Sequence, residues 1–85
     1  MFYTIKSVDV LPDYHLLVKF NNGEIRKYDV KPFMEEQEDF KAFLITHKLF
    51  EQVTVDTGGY GVFWNEYLDI SCNELYINGI PSGTK

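Results

Sequence analysis

Short runs of alternating apolar and polar residues fill the first third of the chain, which is the pattern of half-buried β-strands. The first run starts near Ile5 and ends at Pro12-Asp13. The second places three apolar side chains on one face: Leu16, Val18 and Phe20. Asn22-Gly23 then separates it from a third run over 24–30, and Asn-Gly favours a tight hairpin because both residues tolerate positive φ. The pattern predicts an antiparallel meander of three strands.

The middle of the chain changes to a helical period. Asp29 is a candidate N-cap and Pro32 suits a first helical turn, so a short helix through Phe33 and Met34 is expected. A run of acidic residues then interrupts it: Glu35, Glu36, Glu38 and Asp39. Beyond that run, Phe40, Phe43 and Leu44 keep the i, i+3, i+4 spacing of a core-facing helical stripe, which His47 would continue. The period changes after this stripe, which predicts a turn or a second short helical piece near Thr46.

The last third returns to strands. A second hairpin turns at Gly58-Gly59, and its inner face is predicted to hold Val53, Val55, Val62 and Trp64. Alternation places Phe63 on the opposite face of the same strand. If Trp64 is buried, its indole N–H needs an acceptor, for which the candidates are a backbone carbonyl of the middle segment and the Asp69 carboxylate.

A short capped helix is expected to close the fold. Ser71-Cys72-Asn73-Glu74 has the form of a capping box, in which Ser71 accepts from the Glu74 N–H while the Glu74 side chain reaches back to the Ser71 N–H. Asn78-Gly79 ends the helix. The prediction is one α+β domain over residues 1–79, followed by a flexible tail over 80–85.

Charge narrows the choice of partners. The chain has 85 residues and a net charge of −5, from 8 Lys+Arg against 13 Asp+Glu, and its basic residues are scattered rather than gathered in a stripe. We therefore expect no direct binding to nucleic acid, whereas a small basic protein would be attracted at long range. The single cysteine, Cys72, excludes an internal disulfide and fits a reducing compartment. No signal-peptide core or membrane span is present, so a soluble, cytoplasmic protein is expected.

The reactive side chains do not form a recognisable catalytic set, and no cofactor or metal is predicted. The acidic run lacks the glycine and the alternate spacing of an EF-hand, which favours a solvated surface. Asp56, Glu66 and Asp69 flank the second hairpin and are compatible with acid–base chemistry or with turn formation. Cys72, at a helix N-terminus, is the nucleophile of an alternative thiol or hydrolytic enzyme that would use His15 or His47.

Aromatic residues around Trp64 offer a binding surface instead. Tyr60, Phe63 and Tyr67 are candidate partner-binding residues, together with Glu35, Glu36, Glu38 and Asp39, because protein interfaces are enriched in aromatic side chains and a basic partner needs acidic ones. Trp64 itself fits either this patch or the centre of the core.

The order of these features resembles a small bacterial family, the domain of unknown function DUF2442. The most specific part is Val62-Phe63-Trp64-Asn65, followed by Leu68-Asp69-Ile70 and the capped Leu75-Tyr76. A common family form has Pro after the Trp, where this chain has Asn65. The resemblance implies an α+β domain without established catalysis, paired with a second small protein in what is suspected to be a toxin–antitoxin system. Some members add a helix-turn-helix that these 85 residues lack, so DNA binding is not carried over.

Three hypotheses follow. The leading one is a non-enzymatic protein-interaction module, the antitoxin-like member of a two-protein pair, that holds a basic partner. The second is the Cys72 enzyme. The third is a homodimeric structural domain joined through an exposed strand edge, because small open sheets leave such edges unpaired.

Overall fold

Two antiparallel sheets form the framework of the computed structural model, which describes residues 3–46 and 48–82. The first sheet has the order β1-β2-β3-β7, with strands Ile5–Leu11, His15–Phe20, Ile25–Asp29 and Ile80–Pro81. The second has the order β4-β5-β6, with strands Thr54–Val55, Gly61–Asn65 and Leu68–Ser71. Helices lie between and after them: α1 Lys31–Glu36, α2 Ala42–Ile45 and α3 Cys72–Asn78, with 3-10 segments at Glu38–Lys41 and Phe50–Gln52. The α+β class is confirmed.

The predicted N-terminal meander is present as β1-β2-β3. The apolar face of β2 is fully buried, with 0%, 0% and 2% exposure at Leu16, Val18 and Phe20. Asn22-Gly23 forms the turn into β3, and Gly23 has the expected positive φ of 93°. The β1–β2 turn is less ordinary because Asp13 and Tyr14 both adopt positive φ, which is uncommon for residues with side chains.

The middle segment matches its prediction in outline and differs in two details. The α1 helix contains Pro32 in its first turn and ends before the 3-10 segment, but its N-cap is Val30 rather than Asp29, whose carboxylate accepts from the Lys31 N–H at 2.9 Å. Phe40 and Phe43 are buried as expected. Leu44 is 55% exposed, so its assignment to the core stripe was wrong: α2 is a single turn that begins after a 3-10 segment, which shifts the helical phase. His47 lies outside the described residues.

The second sheet contains the predicted hairpin and one more strand. The strands β4 and β5 pair across the Gly58-Gly59 turn, and β6 then pairs with β5. Sequence analysis predicted no strand over 68–71, where the structure has β6 with the alternating burial of a strand. Trp64 is 6% exposed and its indole N–H donates to the Phe50 carbonyl at 2.9 Å, which confirms burial and a backbone acceptor in the middle segment.

The C-terminal helix is capped by one half of the predicted capping box. Ser71 Oγ accepts from the Glu74 N–H at 3.1 Å, but the Glu74 carboxylate turns away and accepts from the Tyr28 hydroxyl at 2.7 Å. The predicted hydrogen bond from the Ser71 N–H to the Glu74 side chain was therefore wrong. The tail predicted for 80–85 also differs, because Ile80 and Pro81 pair with β3 and the Ser82 N–H donates to Ile25 O at 2.8 Å. Residues 83–85 lie outside the described part.

Candidate interaction face on the three-stranded sheet

The three-stranded sheet is covered on one side only. Its inner side packs into the core through Val62, Trp64, Leu68 and Ile70, which are between 1% and 6% exposed. The residues between them point the other way, and there Phe63 is 37% exposed and Asp69 is exposed. We call this side the outer face, and it comprises Gly61, Phe63, Asp69 and Ser71 with the flanking Asp56, Tyr60 and Glu66. The predicted separation of Phe63 from Trp64 is confirmed.

Phe63 and Asp69 stand directly opposite each other on β5 and β6. The hydrogen-bonding phase of this ladder is set by the Cys72 N–H, which donates to Tyr60 O at 2.8 Å. Since the pairs alternate, Val62 and Ile70 are hydrogen-bonded and Phe63 and Asp69 are a non-hydrogen-bonded pair. Side chains approach most closely in such pairs. Phe63 and Asp69 therefore occupy neighbouring positions on the outer face.

Two further acidic residues line the same depression as Phe63. Asp56 lies beside Gly61, because its Oδ2 atom is 3.6 Å from the position that a Cβ atom on that glycine would occupy. The Oδ1 atom of Asp56 accepts from the Tyr60 N–H at 2.8 Å. Glu66 lies at the opposite end of β5, in the β5–β6 turn. All three acidic residues border one shallow depression of about 440 Å³, together with Tyr60 and Phe63. Its lining contains no lysine, arginine or histidine.

The predicted partner-binding residues separate into two groups. Tyr60, 68% exposed, and Phe63 belong to the outer face, and Tyr67 lies 72% exposed in the adjoining turn, where its N–H donates to Asn65 Oδ1. The acidic run lies elsewhere. Glu35 and Glu36 are the last two residues of α1, Glu38 and Asp39 begin the 3-10 segment after it, and two lysines are close by. Lys41 pairs with Glu38 at 3.5 Å, and both Lys31 and Lys41 border the groove that Glu35 lines. The acidic run is thus partly neutralised.

The Cys72 thiol is buried at the first residue of α3. Cys72 is 5% exposed and its Sγ donates to the Tyr3 carbonyl at 3.4 Å. Burial raises the pKa of the thiol, and the Asp56 carboxylate raises it further. His15 begins β2, at the end opposite Phe20, whose ring contacts Tyr3. His15 and Phe20 are five residues apart along β2, which is about 16 Å in a strand. The imidazole therefore lies far from the Tyr3 carbonyl that the Cys72 thiol contacts. The structure does not bring Cys72 and His15 together.

A second cleft, of about 610 Å³, opens at the His15 end of the first sheet. Two contacts join residues of its lining: Tyr28 donates to Glu74 at 2.7 Å, and His15 Nε2 lies 3.9 Å from Asp29 Oδ2. Asp29 also lies 3.5 Å from Lys31 Nζ, which in turn pairs with Asp13 Oδ2 at 2.8 Å. The Lys31 ammonium holds the pKa of the Asp13 carboxyl below its ordinary value. Lys27 also lines this cleft, so its lining, unlike that of the depression on the outer face, carries charges of both signs.

Sequence analysis grouped Asp56, Glu66 and Asp69 as candidates for acid–base chemistry or turn formation but did not place them around Phe63, because the pairing of β5 with both β4 and β6 brings them there. No metal-binding cluster of His, Cys, Asp or Glu occurs among residues 3–46 and 48–82. None of the helices described has the length and apolar character needed to cross a bilayer.

Comparison with known proteins gave one match. Neither the curated proteins nor the solved structures contained a significant match to this chain. A family model described as a protein of unknown function, DUF2442, matches residues 5–81, from the first residue of β1 to the last of β7. Because that match covers every element of the fold, the chain belongs to the DUF2442 family.

Proposed function

We propose that the protein is a non-enzymatic, cytoplasmic interaction module that binds a small basic protein through the outer face. The observation that supports this most directly is an aromatic ring, Phe63, that stands partly exposed on an uncovered sheet and is bordered by three carboxylates. Exposed aromatic side chains are typical anchors of protein interfaces. Carboxylates around such an anchor favour a cationic partner and disfavour an acidic one.

The role that fits such a module best is the antitoxin-like member of a two-protein pair. Its net charge of −5 would attract a basic toxin at long range and speed the encounter. Tight neutralisation needs a face on which a partner's side chains can be buried, and the outer face offers one. The resemblance described above, to proteins paired with a second small protein, supports the same role.

Co-expression with the product of the neighbouring gene tests this proposal. We expect the two proteins to copurify, and we expect the neighbour to arrest growth when expressed alone and to be neutralised in the presence of this chain. A double variant, Phe63→Ser with Asp69→Asn, should remain folded and lose both copurification and neutralisation. Glu35→Gln is the matched control, because it removes an acidic side chain outside the outer face. A neighbour that is harmless alone and does not copurify would overturn the proposed function.

A further inference from the structure

We infer that the outer face receives an arginine side chain of the partner, with the guanidinium stacked on the Phe63 ring and hydrogen-bonded to the Asp69 carboxylate. This inference rests on the proposed function and names the chemistry by which the partner would be recognised. It is carried by the juxtaposition of Phe63 and Asp69 and by the surplus of negative charge around them.

The positions of Phe63 and Asp69 determine the size and shape of the group that can contact both side chains. Opposed residues of an antiparallel pair have Cβ atoms about 4.5–5.5 Å apart, closer in non-hydrogen-bonded pairs. Both side chains project from the same face of the sheet, and both are exposed. A flat cation lying on the ring can therefore reach the neighbouring carboxylate with its edge. In the next outward pair along the ladder, Ser71 is exposed and carries a small side chain, whereas Gly61 is buried beside the Asp56 carboxylate.

The charge of the outer face is uncompensated. Within residues 3–46 and 48–82, Asp56, Glu66 and Asp69 take part in no ion pair, unlike the carboxylates of Asp13, Asp29 and Glu38. A cation bound on this surface is attracted by all three carboxylates, and no basic side chain of the lining opposes it. A metal ion is a poor candidate for this role because the three side chains do not converge as metal ligands. A cation carried on a side chain needs no such convergence.

Arginine suits this arrangement better than lysine. The guanidinium is planar, stacks on aromatic rings and donates two parallel N–H bonds to one carboxylate. It is also less strongly hydrated than an ammonium group, so it loses less on leaving water. The lysine ammonium provides charge without the flat face that Phe63 would contact.

Amide chemical shifts of the ¹⁵N-labelled chain, titrated with short blocked peptides, test the inference. The probes are Gly-Gly-Arg-Gly-Gly and its lysine and citrulline counterparts, where citrulline has the shape of arginine without its charge. We expect arginine to shift the amides of Gly61, Phe63 and Asp69, with an affinity about two- to fivefold higher than that of lysine. Citrulline should give no saturable shift. Asp69→Asn should abolish the response while keeping the thermal midpoint at or above that of the wild type, and Glu35→Gln should bind as the wild type does.

The outcomes separate this inference from the proposed function. Equal affinity for arginine and lysine, shifts confined to other surfaces, or an unchanged response in Asp69→Asn would each overturn the arginine site. A neighbouring-gene product that still copurifies with Phe63→Ser/Asp69→Asn would overturn the site and leave the interaction module standing. Absence of any copurifying neighbour counts against the proposed function, whereas the peptide titration continues to test the face by itself.

Discussion

Phe63 and Trp64 are adjacent in the chain and have opposite surroundings, which makes them a natural pair for mutation. The Trp64 ring lies 4.9 Å, 5.8 Å and 6.1 Å from the ring centroids of Phe43, Phe50 and Phe40, and it is nearly buried. Trp64→Ala removes these contacts and leaves the Phe50 carbonyl without its donor. We expect a loss of about 3–5 kcal/mol, close to the whole stability of a small domain, measured by urea unfolding.

The adjacent position provides the control. Phe63→Ala changes an exposed ring on the outer face, so its effect on the free energy of unfolding should stay within about 1 kcal/mol. A Trp64→Ala protein that unfolds as cooperatively and at the same urea concentration as the wild type would show that this ring serves an interface instead of the core.

Tyr28 gives the fold a dependence on alkaline pH. Burial, and then the hydrogen bond and charge of Glu74, raise the pKa of the Tyr28 hydroxyl above its ordinary value. The folded chain therefore keeps this proton at a pH where the unfolded chain releases it. Stability from this group is complete below the unfolded pKa of about 10 and declines as the pH rises above it.

We expect the wild type to lose stability above about pH 10 more steeply than Tyr28→Phe, by up to about 1.4 kcal/mol per pH unit, the limit for one proton. Urea unfolding at a series of alkaline pH values measures the two slopes. Parallel slopes would mean that Tyr28 ionises equally easily in both states.

At the scale of secondary-structure elements, α3 depends on its cap because it has only seven residues. Ser71→Ala removes the acceptor of the Glu74 N–H, and loss of such a cap costs about 1 kcal/mol. The thermal midpoint should fall by roughly 4–8 °C for a domain of this size. Ser71→Asn retains an N-cap acceptor and should restore most of the loss. If alanine and asparagine variants melted together, the cap would contribute little.

The elements that could be predicted are those whose signals are local. The meander, the second hairpin and α3 follow from alternation, turn glycines and a capping serine, all within a few residues of one another. The strands β6 and β7 escaped prediction because a short strand is defined by its partner, and Ile80-Pro81 has no pattern of its own. Leu44 was misplaced for a related reason, since one turn of 3-10 helix changes the phase of every later position.

The candidate site was predictable only in part. Tyr60, Phe63 and Tyr67 could be selected as aromatic residues of an outward-facing strand and its turns. The acidic run was chosen by its density in the sequence, although the structure sets lysines beside it. The carboxylates that do surround Phe63 are separated by up to thirteen positions, Asp56 to Asp69, and only the register of three strands brings them together.

At the scale of the whole molecule, the two sheets are joined near Gly59. The Ile5 N–H at the start of β1 donates to Gly59 O at 2.8 Å, and Gly59 itself is buried with a φ of 77°. A Cβ placed there would stand 2.7 Å from Ile5 O and 3.0 Å from Ile5 N. These are backbone atoms, which cannot move aside without shifting β1. The turn of one sheet and the edge strand of the other therefore fit only around a glycine.

Gly59→Ala should therefore lower the free energy of unfolding by more than the positive φ of this residue alone accounts for. Gly23 is the matched control, because its φ of 93° carries a similar penalty while a Cβ there meets nothing within 4 Å. We expect Gly23→Ala to lose about 1–2 kcal/mol and Gly59→Ala to lose a further 1–3 kcal/mol through the displaced sheet contact. Urea unfolding of the two variants measures the difference. If both lost the same amount, the sheets would be held together by the shared core and not by the close approach of Gly59 to Ile5.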